Sequence, residues 1–173
     1  MSERRATPAD HARRFDAIFA EYGPPLARLA ASYAGARGEQ DDLLQEIMIA
    51  IWRALPAYRG DCSERTYVYR IAHNRAMSYL SRRRPTAASL NEQREIPAPM
   101  PTPEQAYSRG QASAHLAAAV AALPAGHREV VALTLEGLSY REIADVLGIS
   151  RGAVKSTASR ALAQLEQAME AHR

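Results

Sequence analysis

The stretch LSYREIADVLGISRGAVKSTASRALAQL, Leu138 to Leu165, carries two helical patterns on either side of a glycine turn. Ser139 with Glu142 three residues on forms a capping box for a first helix. Ile143, Val146 and Leu147 fall at helical spacing on one apolar face. Gly148 follows, where a left-handed residue stops a helix. Ile149 is expected to enter the core and Ser150 to cap a second helix. That helix should bury Val154, Ala158, Ala161, Leu162 and Leu165 and present Arg151, Lys155, Ser156, Ser159 and Arg160. No acid lies between Val146 and Leu165, and Lys155 is the only lysine of the chain. An acid-free helix behind a short helix and a tight turn suits a DNA major groove, whose phosphates repel carboxylates. The plainer alternative is a helical hairpin packed in a larger core with a solvated basic face. A response-regulator output domain also shares the pattern.

Working outward, the 173 residues suffice for one ordinary domain or two small ones. Alanine is abundant and aromatics are only 6 %, which favours helices over sheets. The net charge of +3 is mild, so its distribution matters more than its sum. Bases gather at Arg65–Arg84 and Arg151–Arg160, acids at Glu39–Glu46. Cys62 is alone, which excludes an internal disulfide or a cysteine zinc cluster and fits a free thiol in a reducing cytoplasm. The five histidines lie at 11, 73, 115, 127 and 172, without metal-ligand spacing. Neither a signal peptide nor an apolar run of about 18 residues is evident, so a soluble, cytoplasmic chain needing no metal or cofactor is expected.

Met1 to Pro8 is polar and expected to fray. Asp10 to Tyr22 reads as an amphipathic helix broken by Gly23-Pro24-Pro25, after which a second helix buries Leu26, Leu29, Ala30 and Tyr33. Gly35 to Gly38 is the next turn. Gln40 to Leu55 is a helix whose apolar face runs from Leu43 through Trp52 to Leu55. Its other face holds Asp42, Gln45, Glu46, Ile49 and Arg53; from charge and position alone this is a solvated face with one stray isoleucine. Ala57 to Glu64 is a loop. Arg65 to Arg84 is a helix with six arginines and no acid. Val68, Ile71, Ala72, Tyr79 and Leu80 should be buried, with Tyr67, Tyr69, His73, Asn74, Arg75 and Met77 around the rest. Rings that stack on bases, amides that read edges and arginines that hold phosphates suit single-stranded DNA as a cluster. Any one tyrosine, taken singly, reads better as half-buried core.

Thr86 to Gly110 is linker; with Pro85 it holds five of the ten prolines. The fold class is therefore all-α: two small helical domains, about 9–84 and 111–170, on a flexible Pro-rich linker, 85–110. The second is a winged-helix-like, four-helix, helix-turn-helix domain. Gln111 to Leu123 should bury Leu116, Val120 and Leu123, and His127 to Leu135 adds Val130, Val131, Leu133 and Leu135.

The order DDLLQEIMIAIWRALPAYRG, TYVYRIAHNRAMSYLSRRR, linker, LPAGHREVVALTLEGLSYREIADVLGISRGAVKSTASRAL resembles a bacterial RNA polymerase sigma factor of the short extracytoplasmic-function type. The resemblance covers nearly the whole chain apart from linker and ends. It implies that Asp42, Gln45, Glu46 and Ile49 bind the clamp helices of core RNA polymerase, which reverses the solvated-face reading. It implies that Tyr67, Arg70, His73 and Asn74 face the −10 element during melting, while the Ala57–Glu64 loop holds a flipped base. Arg151, Lys155, Ser156, Ser159 and Arg160 would enter the major groove of the −35 element. The implied partners are core polymerase, promoter DNA and an anti-sigma factor that could hold the chain near the membrane without insertion. Tyr67 stands where the family usually has tryptophan. His73 and Arg75 replace a more usual basic residue and a leucine, and Thr157-Ala158-Ser159 is smaller than usual. These departures bear on promoter sequence rather than on role.

Two other classes compete on the residues alone. A stand-alone regulator would bind its operator without polymerase; a receiver-type version needs alternating strands that the N-terminal half lacks. A nucleic-acid enzyme needs clustered carboxylates beside the basic groove, but Asp41, Asp42 and Glu46 lie on a different helix from the arginines.

Overall fold

The computed structural model describes residues 7–34, 37–82, 115–116 and 118–170. The expected linker 85–110, residues 1–6 of the N-terminal stretch expected to fray and part of the Gly35–Gly38 turn lie outside the described residues, whereas Thr7 and Pro8, expected to fray with them, cap and open the first helix. The elements run α1 (Pro8–Tyr33), α2 (Arg37–Ala54), a single 3-10 turn (Leu55–Ala57), α3 (Glu64–Arg82), α4 (118–122, with 115 and 116 also helical), α5 (Ala125–Leu135), α6 (Tyr140–Leu147) and α7 (Arg151–Glu170). No strand occurs among the described residues, so the likeness to a winged helix is confined to its helices. Nor is any helix among them long and apolar enough to cross a membrane.

The first helix corrects the expectation of a break. Thr7 and Asp10 form a capping box, and α1 then runs unbroken through Pro24 and Pro25. A proline removes one backbone donor and crowds the carbonyl four residues back, here those of Ala20 and Glu21. Both residues are exposed, so water can take the freed carbonyls, and Pro24 is itself exposed. On the opposite side Ile18, Tyr22, Leu26, Leu29 and Tyr33 form one continuous buried stripe. Each such side chain contributes roughly 1.5–3 kcal/mol on burial. Only a single unbroken helix keeps all five in register.

The first half is a three-helix unit in which α2 packs on both α1 and α3. Leu43, Ile47, Ile51 and Leu55 from α2 and its 3-10 turn meet Val68, Tyr69, Ala72 and Ala76 from α3. Tyr69, expected among the polar positions, is instead 1 % exposed and sets its ring edge-on to Tyr22. Ile71 and Leu80 are only partly buried. Trp52 departs the other way: it is 39 % exposed, beside His11 and edge-on to Phe15, with the His11 Nε2 2.9 Å from the Trp52 carbonyl.

In the second half α5 and α6 both pack on α7. Val130, Leu133, Leu138, Ile143, Val146, Val154 and Ala158 form its core, and Leu123, Ala161 and Leu165 a satellite beneath α4. Four expected core residues lie outside it: Leu116, Leu135, Ile149 and Leu162 are all exposed, Leu135 by 77 %. The larger core is continuous with that of the first half, because α6 packs on α3 and α5 on α1.

Candidate nucleic-acid interface

The helix-turn-helix forms from local signals. The Ser139 backbone N–H donates to the Glu142 carboxylate at 2.8 Å, and the Glu142 N–H returns a bond to Ser139 Oγ at 3.3 Å. The Ser139 N–H and the Ser139 hydroxyl, which both donate to the carboxylate at 2.8 Å, hold the Glu142 carboxyl below its ordinary value of 4.5. Gly148 ends α6 in the left-handed region at φ 67°, which a side chain rarely adopts. Ser150 Oγ then accepts the Ala153 N–H at 3.1 Å and caps α7. Val154, Ala158, Ala161 and Leu165 anchor α7, while Arg151, Lys155, Ser156, Ser159 and Arg160 are all exposed on its other side. All five expected −35 residues thus lie on one solvent-facing strip.

The expected −10 residues on α3 are placed differently. Asn74 is exposed. Tyr67 is half-buried; its hydroxyl donates to the Ala54 carbonyl at 2.9 Å and its ring packs on Tyr58, 4.8 Å between centroids. Arg70 donates from Nε to the Asp145 carbonyl of α6 at 3.2 Å. The His73 side chain is 13 % exposed, its Nδ1 2.5 Å from the Glu129 carboxylate of α5. The loop before α3 is pinned at its base, where the Tyr58 hydroxyl donates to the Cys62 carbonyl at 2.5 Å and the Arg14 guanidinium sits 4.9 Å over the Tyr58 ring. Its tip of Arg59, Gly60 and Asp61 is exposed, with Gly60 at φ 82°. Tyr58 and Arg14 were not singled out from sequence; nothing local to either residue marks a partner so distant in the chain.

On α2, Asp42 and Gln45 are exposed and Ile49 is 43 % exposed. Ile49 lines an open groove with Glu46, Ala50, Arg53, Ala54 and Arg75. Glu46 is not a free carboxylate: Arg75 and Arg82 of α3 each approach its Oε2 to 2.6 Å. Burial pushes its carboxyl up, but the two guanidinium groups outweigh burial and hold it below its usual value. Among the described residues no three His, Cys, Asp or Glu side chains gather to hold a metal ion.

Comparison with known proteins places this geometry in a family. Residues 18–86 match sigma-70 region 2 and residues 114–165 match sigma-70 region 4. The ECF RNA polymerase sigma factor SigE of Mycolicibacterium smegmatis is 33 % identical over 161 residues, covering 91 % of this chain and 62 % of that protein. The RNA polymerase sigma factor CnrH of Cupriavidus metallidurans is 30 % identical over 168 residues, covering 92 % of this chain and 88 % of its own length. The structure of CnrH in complex with the cytosolic domain of CnrY superposes with a TM-score of 0.68 at 29 % identity, over 94 % of this chain and 91 % of that one. The fold is shared as well by the sigma factor RpoE in complex with the anti-sigma factor NepR from Bartonella quintana, TM-score 0.75 at 20 % identity, over 93 % of this chain and 99 % of that one. With both halves matched in order, and the ECF RNA polymerase sigma-E factor of Escherichia coli 30 % identical over 86 % of this chain and 83 % of its own length, the chain belongs to the extracytoplasmic-function class of RNA polymerase sigma factors.

Proposed function

We propose that this chain joins core RNA polymerase, brings it to promoters and helps part the strands there, with residues 9–84 and 111–170 as its working domains and 85–110 as their tether. The observation that carries the reading is the strip on α7: five polar or basic side chains, exposed and without an acid, behind a capped turn. In this reading Arg151, Lys155, Ser156, Ser159 and Arg160 read the −35 duplex. Each good bidentate contact contributes ~1–3 kcal/mol of discrimination. Tyr67, Arg70, His73 and Asn74, with the loop before α3, take the −10 strand. Opening costs about 1.4 kcal/mol per stacked step, and each base stacked on an aromatic side chain returns ~1–3 kcal/mol. Asp42, Gln45 and Ile49 meet the polymerase, with Ile49 beside a groove that an apolar partner side chain can enter. Glu46 serves there through its two arginines, by fixing α2 to α3.

No catalytic side chain is called for. Likeness to CnrH, solved with the cytosolic domain of CnrY, supports control by an anti-sigma factor and a cytoplasmic site of action. Run-off transcription on genomic fragments with purified core tests the reading. The chain should direct discrete starts, and Asp42→Arg should weaken core capture in a pull-down while leaving the helical fold intact. Starts that do not depend on the added chain, or unchanged capture by Asp42→Arg, would argue against it.

A further inference from the structure

The loop between the 3-10 turn and α3, residues 58–63, is closed on itself. The Tyr58 N–H donates to the Leu55 carbonyl at 3.1 Å, and the Tyr58 hydroxyl reaches across to the Cys62 carbonyl. At the other end Ser63 Oγ accepts the Thr66 N–H at 3.1 Å and caps α3. These bonds are all local, so they shape the loop without fixing it to the rest of the protein. Arg14 of α1 supplies that link. Its guanidinium lies 4.9 Å over the Tyr58 ring at the loop's entry. At the exit its Nε and Nη2 both donate to Glu64 Oε2, at 3.2 and 2.8 Å. One cation therefore holds both ends of the loop. One turn beyond Glu64 the Tyr67 ring packs on Tyr58, and its hydroxyl is tied to the Ala54 carbonyl. Arg14, Tyr58 and Tyr67 are thus three planar groups linked in series, from α1 to the start of α3.

We propose that Arg14 is a positioning residue for strand selection: through Tyr58 and Glu64 it sets the loop against Tyr67, so that one unstacked promoter base is received there and told from the others. The inference rests on the −10 reading of α3 and its loop. Stability is a poor reason for the cluster. The Arg14 and Glu64 side chains are 40 % and 35 % exposed, and ion pairs so open to water add little to folding. Their geometry is more informative than their strength. A guanidinium that lies over a ring while its edge bonds a carboxylate is fixed in orientation, as a rotating ammonium would not be. A surface that discriminates between bases needs walls set before the base enters, because ordering them afterwards weakens every base alike. The tip, Arg59-Gly60-Asp61, stays exposed, so the loop is open to a strand at its tip and held at its base.

The test is template selection by the full chain with purified core. The pool is built on one promoter that the chain uses, with the upstream element fixed and the −10 segment randomised, and the retained templates are sequenced. Arg14→Gln should lower base enrichment at one −10 position about ten-fold, as fewer chains hold the loop in its receiving pose. The other positions and core capture should be unchanged. A residue that acts through others has no effect once they are gone. Adding Arg14→Gln to Tyr58→Leu/Glu64→Gln should therefore cause no further loss. If that pair lowers core capture, the comparison is made on Glu64→Gln alone, where Arg14→Gln should lose less than in the parent chain. Unchanged selection with Arg14→Gln overturns the proposal, and so does an even loss at every −10 position. So does an undiminished further loss on those backgrounds, which would put Arg14 on the DNA itself. Asn74→Ala separates these failures from failure of the −10 reading. If it flattens −10 enrichment while Arg14→Gln does not, the reading stands and the positioning role alone is refuted. If neither changes enrichment, the −10 reading falls as well.

Discussion

The helices α3 and α7 carry the two basic clusters of the chain, yet they are held in different ways. The α7 strip projects into solvent, and its partners within the protein are all behind it. Three of the four α3 residues are engaged: Tyr67 is hydrogen-bonded to Ala54, Arg70 to Asp145, and His73 sits against Glu129, while Asn74 is exposed. A helix that reads a closed duplex needs only a preformed, exposed surface. Side chains already bonded within the protein must first give up those partners before they can hold anything else. The contrast teaches that basic composition alone does not report availability.

The largest expected effect falls on α7. Arg151→Ala with Lys155→Ala should lower start-site-specific run-off by ~2–6 kcal/mol equivalent if both make good base contacts. Core capture should be unchanged. Equal loss of both would show that α7 is not a separate reader. Next comes the shared core. Ile143 is fully buried in the cluster that spans both halves. Ile143→Ala should cost ~2–5 kcal/mol and lower the midpoint of thermal unfolding by about 4–20 °C, in one transition followed by circular dichroism. Two separated transitions would mean that the halves fold independently and that the contact on α3 is weak.

The smallest effect is electrostatic. The carboxyls of Glu46 and Glu142 are both held below 4.5 in the folded chain. Their contribution is therefore fully present above that value and is lost as pH falls through the lower folded values. For Glu142 the cap contributes about 1 kcal/mol. Glu142→Ala should lower the unfolding midpoint at neutral pH and flatten its fall below pH 4.5. A parallel fall in both chains would assign the acid sensitivity to other groups.

The helix-turn-helix was legible almost residue by residue, because its signals are local: Ser139 with Glu142, Gly148, Ser150 and an uninterrupted acid-free face. The expected break at Pro24-Pro25 is absent because the residues whose carbonyls the pair frees, Ala20 and Glu21, are exposed, while the stripe from Ile18 to Tyr33 is buried on both sides of it. Periodicity also overfilled the core. Leu116, Leu135 and Leu162 fall on apolar stripes, but a stripe does not tell how wide the facing neighbour is. Ile149 was placed inside because it follows the turn glycine; it instead lines a pocket of about 250 Å³ with His73, Glu129 and Leu147. Least legible was the contact between the halves. The paired Arg28 and Glu136 are 108 positions apart, and nothing in the sequence around either points to the other. The proposed polymerase-facing role of Asp42, Gln45 and Ile49 rests on family resemblance, since Ile49 by itself looks like a stray apolar residue.

The central claim is a division of labour in which α7 finds the duplex and α3 takes the opened strand. Permanganate reactivity of promoter thymines in the complex with core tests it most directly. A chain with Arg70→Ala and Asn74→Ala should still protect the upstream element but leave the thymines near the start site unreactive. One with Arg151→Ala and Lys155→Ala, driven onto the promoter at high concentration, should still render them reactive. Normal reactivity with the altered α3, or its loss with the altered α7 at full occupancy, would contradict the account.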